Sequence, residues 1–162
     1  MPVTFTVTSL LPWTILRPPW VYGPGDPIGR ERWFRERLLA GQAISLPQGH
    51  AWWYQNIHVR DLAAACLAVL SSDKAVGAIY NVAGQAFTLE AYLDTASRIL
   101  GVNPRIERVP HCATEDLPPY GFGSGSLVLD TQRIEDQVGF FPAIDLNEGL
   151  RTAITGEPCH GL

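Results

Sequence analysis

Apolar and polar residues alternate along the chain with two periods, and the changes between them predict a run of short strands and helices. Val3–Thr8 alternates apolar and hydroxylated side chains, the pattern of a half-buried strand. Trp13–Leu16 is a short apolar strand stopped by Arg17-Pro18-Pro19, and Val21–Asp26 is a turn-rich loop. Ile28–Ala40 has helical spacing, with Gly41 as its stop. Ala43–Leu46 predicts a strand, Pro47–His50 a turn, and Gln55–Val59 another strand. Asp61 caps a predicted helix over Leu62–Leu70, whose inward face is Leu62, Ala65, Cys66, Val69 and Leu70. Ala78–Ala83 predicts a strand. Thr88 caps the clearest helix, with Leu89, Tyr92, Leu93, Ala96, Ile99 and Leu100 in one stripe and Gly101 at its end. Arg105–Val109 predicts a strand, 110–126 a loop, and Leu127–Leu129 a brief strand. Asp130 caps Thr131–Val138, and Asp145 with Glu148 has capping-box spacing before a last helix ending near Gly156. Alternating helices and strands define an α/β class with a small mixed sheet and about five helices.

Composition narrows the class further. The 162 residues suffice for one domain and a real core. With 46% hydrophobic residues the chain is no disordered polymer, and 15 glycines with 13 prolines exclude a coiled coil. Only 17% of residues are charged, below the ~25% of an average domain, which implies a rather apolar surface. The net charge of −4 lacks the basic footprint of non-specific nucleic-acid binding, so no nucleic-acid partner is expected. Cys66, Cys112 and Cys159 form no paired framework and no C-x-x-C, which fits reduced thiols and a cytoplasmic setting. Residues 1–12 have no basic n-region, and no stretch reaches the ~18 apolar residues of a membrane span.

Four segments then stand in a familiar order. Leu16-Arg17-Pro18-Pro19-Trp20-Val21-Tyr22-Gly23-Pro24-Gly25-Asp26 resembles the loop after the sixth strand of extended short-chain dehydrogenases, the NAD-dependent epimerase/dehydratase family. Tyr54–Ala63, with Ile57-His58-Val59-Arg60-Asp61-Leu62-Ala63, resembles that family's I-H-V-x-D-[LV]-A segment. Tyr80–Gly84 followed by Thr88-Leu89 resembles its last sheet strand and next helix. Gly139-Phe140 and Glu148–Arg151 resemble its C-terminal helices. The resemblance implies a truncated, Rossmann-derived C-terminal portion. Residues 11–156 would form one substrate-binding domain, 1–10 a new N-terminal strand and 157–162 a tail.

The resemblance also defines what chemistry to look for. Family members use NAD or NADP, held by Gly-x-x-Gly-x-x-Gly, with a catalytic Tyr-x-x-x-Lys. Lys74 is the only lysine, and Leu70 stands four residues before it, so that pair is absent. Gly121, Gly123 and Gly125 lack a third glycine at the required spacing, as do Gly23 and Gly25. No catalytic residue, no intact cofactor site and no metal site is therefore expected. Pro18, Val21, Tyr22 and Gly23 remain as vestiges of a cofactor-facing loop. By resemblance, Trp20, Tyr22, Trp33, Pro47 and Gln55 line a substrate pocket, although aromatic packing accounts for each equally well. The arginine that family members acting on nucleotide sugars often place near Gln55–Asn56 is missing. His58 reads as a base or, between Ile57 and Val59, as a hydrogen-bonded structural residue.

The functional expectation is a binding or accessory module without catalysis of its own, taking a small-molecule ligand. The alternative is one half of a split epimerase/dehydratase, completed by a dinucleotide-binding chain. A strand lacking its sheet neighbour predicts pairing with another chain, so a homo-oligomer is expected where no complementary chain is present.

Overall fold

The computed structural model describes residues 11–49, 51–110 and 125–156. The predicted strand Val3–Thr8, the tail 157–162 and most of the loop 110–126 lie outside the described residues. The elements run β1 (Thr14–Arg17), β2 (Trp20–Tyr22), α1 (Arg30–Leu39), β3 (Ala43–Pro47), β4 (Trp53–Tyr54), β5 (Asn56–His58) and α2 (Val59–Leu70). A short 3-10 turn at Asp73–Ala75 follows, then β6 (Ala78–Asn81), β7 (Phe87–Thr88), α3 (Leu89–Leu100), β8 (Arg105–Val109), α4 (Gln132–Val138) and α5 (Leu146–Thr155).

The α/β class and the five helices stand, but the mixed sheet is four two-stranded ladders. β1–β6, β2–β5 and β3–β8 are parallel, and β4–β7 is antiparallel. Two apolar clusters fill the spaces between them. One joins α1, α3 and α5 to β3, through Phe34, Leu38, Ile44, Leu46, Tyr92, Leu93, Leu150 and Ile154. The other lies under β1 and β6, with Tyr80, Val82 and Ala65 packed against Ile134 and Phe140.

Several expected boundaries shift for identifiable reasons. Val21 and Tyr22, expected in a loop, form β2 with Trp20 because Trp20, Val21 and Tyr22 register against Asn56, Ile57 and His58. That pairing is non-local, and no local pattern announces it. The predicted strand Gln55–Val59 shortens to β5, paired with β2, because Val59 opens α2, and the unpredicted β4 just before it pairs with β7. Pro47 ends β3 rather than starting a turn. Leu127 makes a single bridge to Tyr54 in place of a strand.

One capping residue changes. His58, not Asp61, caps α2: its Nδ1 accepts the Arg60 N–H at 3.3 Å. At α4 Thr131 holds the N-cap position without a side-chain cap bond, and the expected Asp130 supplies one, its carboxylate accepting the Gln132 N–H at 2.9 Å. The expected caps hold at Thr88, which accepts from the Ala91 N–H, and at Asp145, which accepts from the Glu148 N–H.

The expected inward face of α2 is also half wrong. Ala65 is buried, and Leu62 and Val69 pack against the second cluster, but Cys66 and Leu70 are exposed. Only Arg60 and Asp61 interrupt an otherwise apolar helix, so apolar periodicity cannot tell its inner side from its outer side.

Candidate functional site

β2 runs straight into the loop 23–29, and α1 begins where that loop ends. Their inner surfaces enclose an open cleft of about 350 Å³, with Trp20, Tyr22, Asp26, Ile28, Arg30 and Val59 on its walls. Val21 and Gly23 line it too, so three of the four vestigial cofactor residues meet two of the five substrate candidates. Pro18 precedes β2 and is exposed. The wall has two characters: Trp20 stacks on Tyr54 with ring centroids 5.9 Å apart, and the Arg30 guanidinium sits 5.9 Å from the Trp20 ring.

The other three substrate candidates lie elsewhere. Trp33 meets Phe34 edge-on within the α1 packing and is covered by the Arg37 guanidinium at 4.4 Å. Pro47 borders a crevice of about 10 Å³ with Trp52, Tyr54 and Leu89. Gln55 is a buried cross-link: its Nε2 donates to the Gly84 carbonyl at 3.1 Å, and its Oε1 accepts the Leu129 N–H at 2.6 Å. Both ends of that amide are spent on holding the junction of β4 and β5 to the segments beside it.

The floor of the cleft is a charged group that the sequence reading did not single out. Asp26 accepts the Ile28 N–H at 3.0 Å and the Gly29 N–H at 3.2 Å, and it pairs with Arg30 at 3.8 Å. Glu31, next to Arg30 on α1, is only 4% exposed. Burial, reinforced by the Asp26 carboxylate, pushes the Glu31 carboxyl up to about 7, although its own backbone N–H and Arg30 oppose the shift. Tyr92 on α3 is fully buried and does not line the cleft. Its phenol is held well above the ordinary tyrosine value by burial, with Glu31 the nearest repelling charge. The available signal was Asp26 and Arg30 at i, i+4 spacing across a predicted helix start.

Behind the cleft, His58 is a structural residue. It is 1% exposed, and its Nδ1 accepts from Arg60, which leaves the proton of the neutral ring on Nε2. Nε2 then donates to Thr152 Oγ1 at 3.1 Å, and that hydroxyl donates to the Gly149 carbonyl at 2.9 Å. Burial lowers the His58 pKa, so the ring stays neutral, although Asp61 pulls the other way. Tyr22 meets His58 edge-on at 5.3 Å. Backbone must approach closely here: a Cβ on Gly149 would overlap the Tyr22 hydroxyl, and one on Gly23 (φ 133°) would stand 2.9 Å from His58 Nε2. Asp61, no cap, bridges instead: its two carboxylate oxygens accept the Ala143 and Ile144 N–H groups at 3.0 and 3.1 Å, docking the approach to α5.

Among the described residues no cluster of three or more His, Cys, Asp or Glu could hold a metal ion, and no helix is long and apolar enough to cross a membrane.

Comparison with known proteins places this architecture. Residues 5–83 match the family model described as the NAD dependent epimerase/dehydratase family. The chain is 32% identical over 142 residues to the chloroplast stem-loop binding protein of 41 kDa b of Arabidopsis thaliana; the match covers 85% of this chain and 38% of that protein. Among solved structures, it superposes on the Bordetella bronchiseptica enzyme WbmG, solved with NAD and UDP, with TM-score 0.70 and 21% identity over 91% of this chain and 45% of that one. Against the Thermotoga maritima UDP-glucose 4-epimerase the values are TM-score 0.68 and 24%, over 90% and 45%. At these identities the structural likeness is one of fold, and the chain spans less than half the length of each of these proteins. Residues 5–83 thus carry a NAD dependent epimerase/dehydratase family segment, and the fold shared with epimerase structures runs through nine-tenths of the chain, which is an epimerase/dehydratase-like fragment.

Proposed function

We propose that this chain is a binding module that offers the ligand-facing wall of an epimerase-type fold and performs no hydride transfer by itself. The observation that carries the reading is the cleft of about 350 Å³, where Trp20, Val21, Tyr22 and Gly23 of the family-like loop share one wall. Its volume suits a small molecule, and its mixed wall of aromatic rings beside Arg30 suits a planar ligand with a polar end. The sequence supplies neither the glycine turn that admits a pyrophosphate nor a lysine four residues after a tyrosine, the two parts hydride chemistry requires of this family.

Calorimetric titration of the full chain with UDP, NADH and NADPH tests this directly. A saturable heat with at least one probe, weakened tenfold or more in Trp20→Ala, is the expected result. No binding by any probe would sink the binding reading, and turnover of NADH by the chain alone would sink the claim of inactivity. An RNA stem-loop belongs in the same series, because the name of the Arabidopsis relative speaks of stem-loop binding. The net charge of −4 favours no response to it.

A second reading, one half of a split epimerase/dehydratase, draws on a different observation. Among the described residues β1 is paired on one edge only, with β6, while α2 turns Val59, Leu67 and Leu70 to solvent. An open strand edge beside a bare apolar helix is the surface a complementary dinucleotide-binding chain would cover. A second copy of this chain would cover it equally, and sedimentation of the purified chain separates the two: a dimer favours self-pairing, a monomer the split enzyme.

A further inference from the structure

We propose that the groove between the segment 83–85, the start of α4 and the approach to α5 is a second binding site, built for a small organic cation that carries N–H donors. It does not rest on the reading of the cleft. The groove shares no residue with the cleft, and the notch behind it shares only Tyr22.

The groove encloses about 270 Å³. Gly84 and Gln85 form one side, Thr131 and Glu135 a second, and Pro142–Asp145 a third. These walls are tied in place. Asn81 Nδ2 donates to the Asp130 carbonyl at 2.8 Å, which holds the start of α4 to the end of β6, and the Asp61 carboxylate holds Ala143 and Ile144. Gly84, Gln85 and Ile144 also border a notch of about 10 Å³, room for one water-sized group. Tyr22, Asn56 and His58 are among its other walls.

The hydrogen-bond accounts of the two spaces lean one way. The donors of the walls are spent: the Ala143 and Ile144 N–H groups on Asp61, the Gly84 N–H on the Asn56 carbonyl at 2.8 Å, and the Thr131 hydroxyl on Glu135 Oε1 at 2.6 Å. The His58 ring spends its N–H on Thr152. Acceptors remain. Asn56 is 5% exposed, and its Oδ1 is buried with no hydrogen-bond partner, a costly arrangement that an incoming donor relieves. At the groove, Glu135 uses Oε1 for Thr131 and Asp145 uses Oδ1 for the Glu148 N–H, so each keeps its second oxygen.

Charge points the same way. Among the described residues that line the groove and the notch there is no arginine and no lysine, whereas Glu135 and Asp145 both face the groove. Pro142 and Ile144 supply apolar wall between them. A short aliphatic amine satisfies all three features: its ammonium meets the two carboxylates, its methylenes lie along Pro142 and Ile144, and an N–H donor, its own or that of a water it orders, reaches Asn56.

Titration of the full chain with 1,4-diaminobutane at fixed ionic strength, followed by backbone amide NMR, tests the proposal, with tetramethylammonium as the cation that has no N–H. Saturable shifts should appear at 83–85, 131–135 and 143–145, at concentrations about tenfold lower than tetramethylammonium requires. Glu135→Gln and Asp145→Asn keep an oxygen for Thr131 and for the Glu148 N–H, so the fold should stand while each weakens binding about tenfold. Asn56→Leu removes an acceptor that has no partner to lose. It should weaken the diamine and leave the urea midpoint unchanged or higher. No saturation by the diamine, an equal response to tetramethylammonium, or undiminished binding in the Glu135→Gln, Asp145→Asn double variant would each overturn the proposal. Trp20→Ala should leave this titration unaltered, so the cleft and the groove can each fail while the other stands.

Discussion

Helices α2 and α3 have the same length and opposite fates. α3 is amphipathic, and it buries Leu89, Tyr92, Leu93 and Ala96 between α1 and α5. α2 is the more apolar helix, yet its fully buried residues are only Asp61 and Ala65, with Leu67 66% and Leu70 81% exposed. Apolar character alone does not decide burial; the supply of a facing element does. The α3 side of the molecule is closed on itself, whereas the α2 and β1 side carries an apolar surface that the described residues leave open.

The largest effect that this contrast predicts is in the closed half. Leu93 is fully buried among Phe34, Tyr92 and Leu150, so Leu93→Ala should cost about 2–5 kcal/mol in urea unfolding, by lost burial and the cavity left behind. A cost below about 1 kcal/mol would mean that the α1–α3–α5 cluster is loosely packed and the contrast with α2 is one of degree.

Next in size comes a pH dependence with two opposed parts. Glu31 holds its proton more tightly folded than unfolded, so its contribution is complete below 4.5 and is lost as pH rises to about 7. The full span is worth about 3 kcal/mol. His58 has the opposite sign. Its folded pKa lies below 6.5, so its contribution is complete above 6.5 and is lost as pH falls below that value. Glu31→Gln should therefore flatten the fall in stability between pH 4.5 and 7 and leave the acid-side loss from His58 in place. A wild-type stability that, taken relative to Glu31→Gln, fails to fall through this window would contradict the burial of Glu31.

These two groups also show what the sequence made legible and what it could not. Capping at Thr88 and Asp145 and the α3 stripe are local patterns, and they read correctly. β2, the Asp61 bridge and the Gln55 cross-link depend on partners far along the chain: Asn56–His58, Ala143–Ile144, Gly84 and Leu129. No periodicity encodes such partners. Trp20 and Tyr22, named by resemblance as substrate candidates, line the cleft together because the family-like segment that carries them is contiguous in sequence. Glu31 was missed because a charged residue one position into an Arg-rich helix reads as solvated, and only the arrival of α3 buries it.

The Asp61 bridge sets a smaller prediction, at the junction of the two halves. Asp61→Asn keeps the shape of the side chain but turns one of its two acceptor oxygens into a donor, facing an N–H group that it cannot accept. The loss should be about 1–3 kcal/mol, and hydrogen exchange should quicken at Ala143 and Ile144 before it does so in α3. Simultaneous quickening everywhere would show that the docking of α5 is not separable from the closed half.

The smallest expected effect carries the most information. Leu67→Glu and Leu70→Glu place charge on a surface that already faces solvent, so each should change the stability of an isolated chain by no more than about 0.5 kcal/mol. The same substitutions should raise solubility, because they interrupt a contiguous apolar patch. If either instead destabilises the protein by 2 kcal/mol or more, with the effect growing as protein concentration rises, then the α2 face is buried in an assembly and the open half is open only in the single chain. A large loss independent of concentration would place the covering element within the same polypeptide. The two results assign the apolar face of α2 to different owners, and the contrast with α3 then becomes one between a helix closed by its own domain and a helix closed by something added to it.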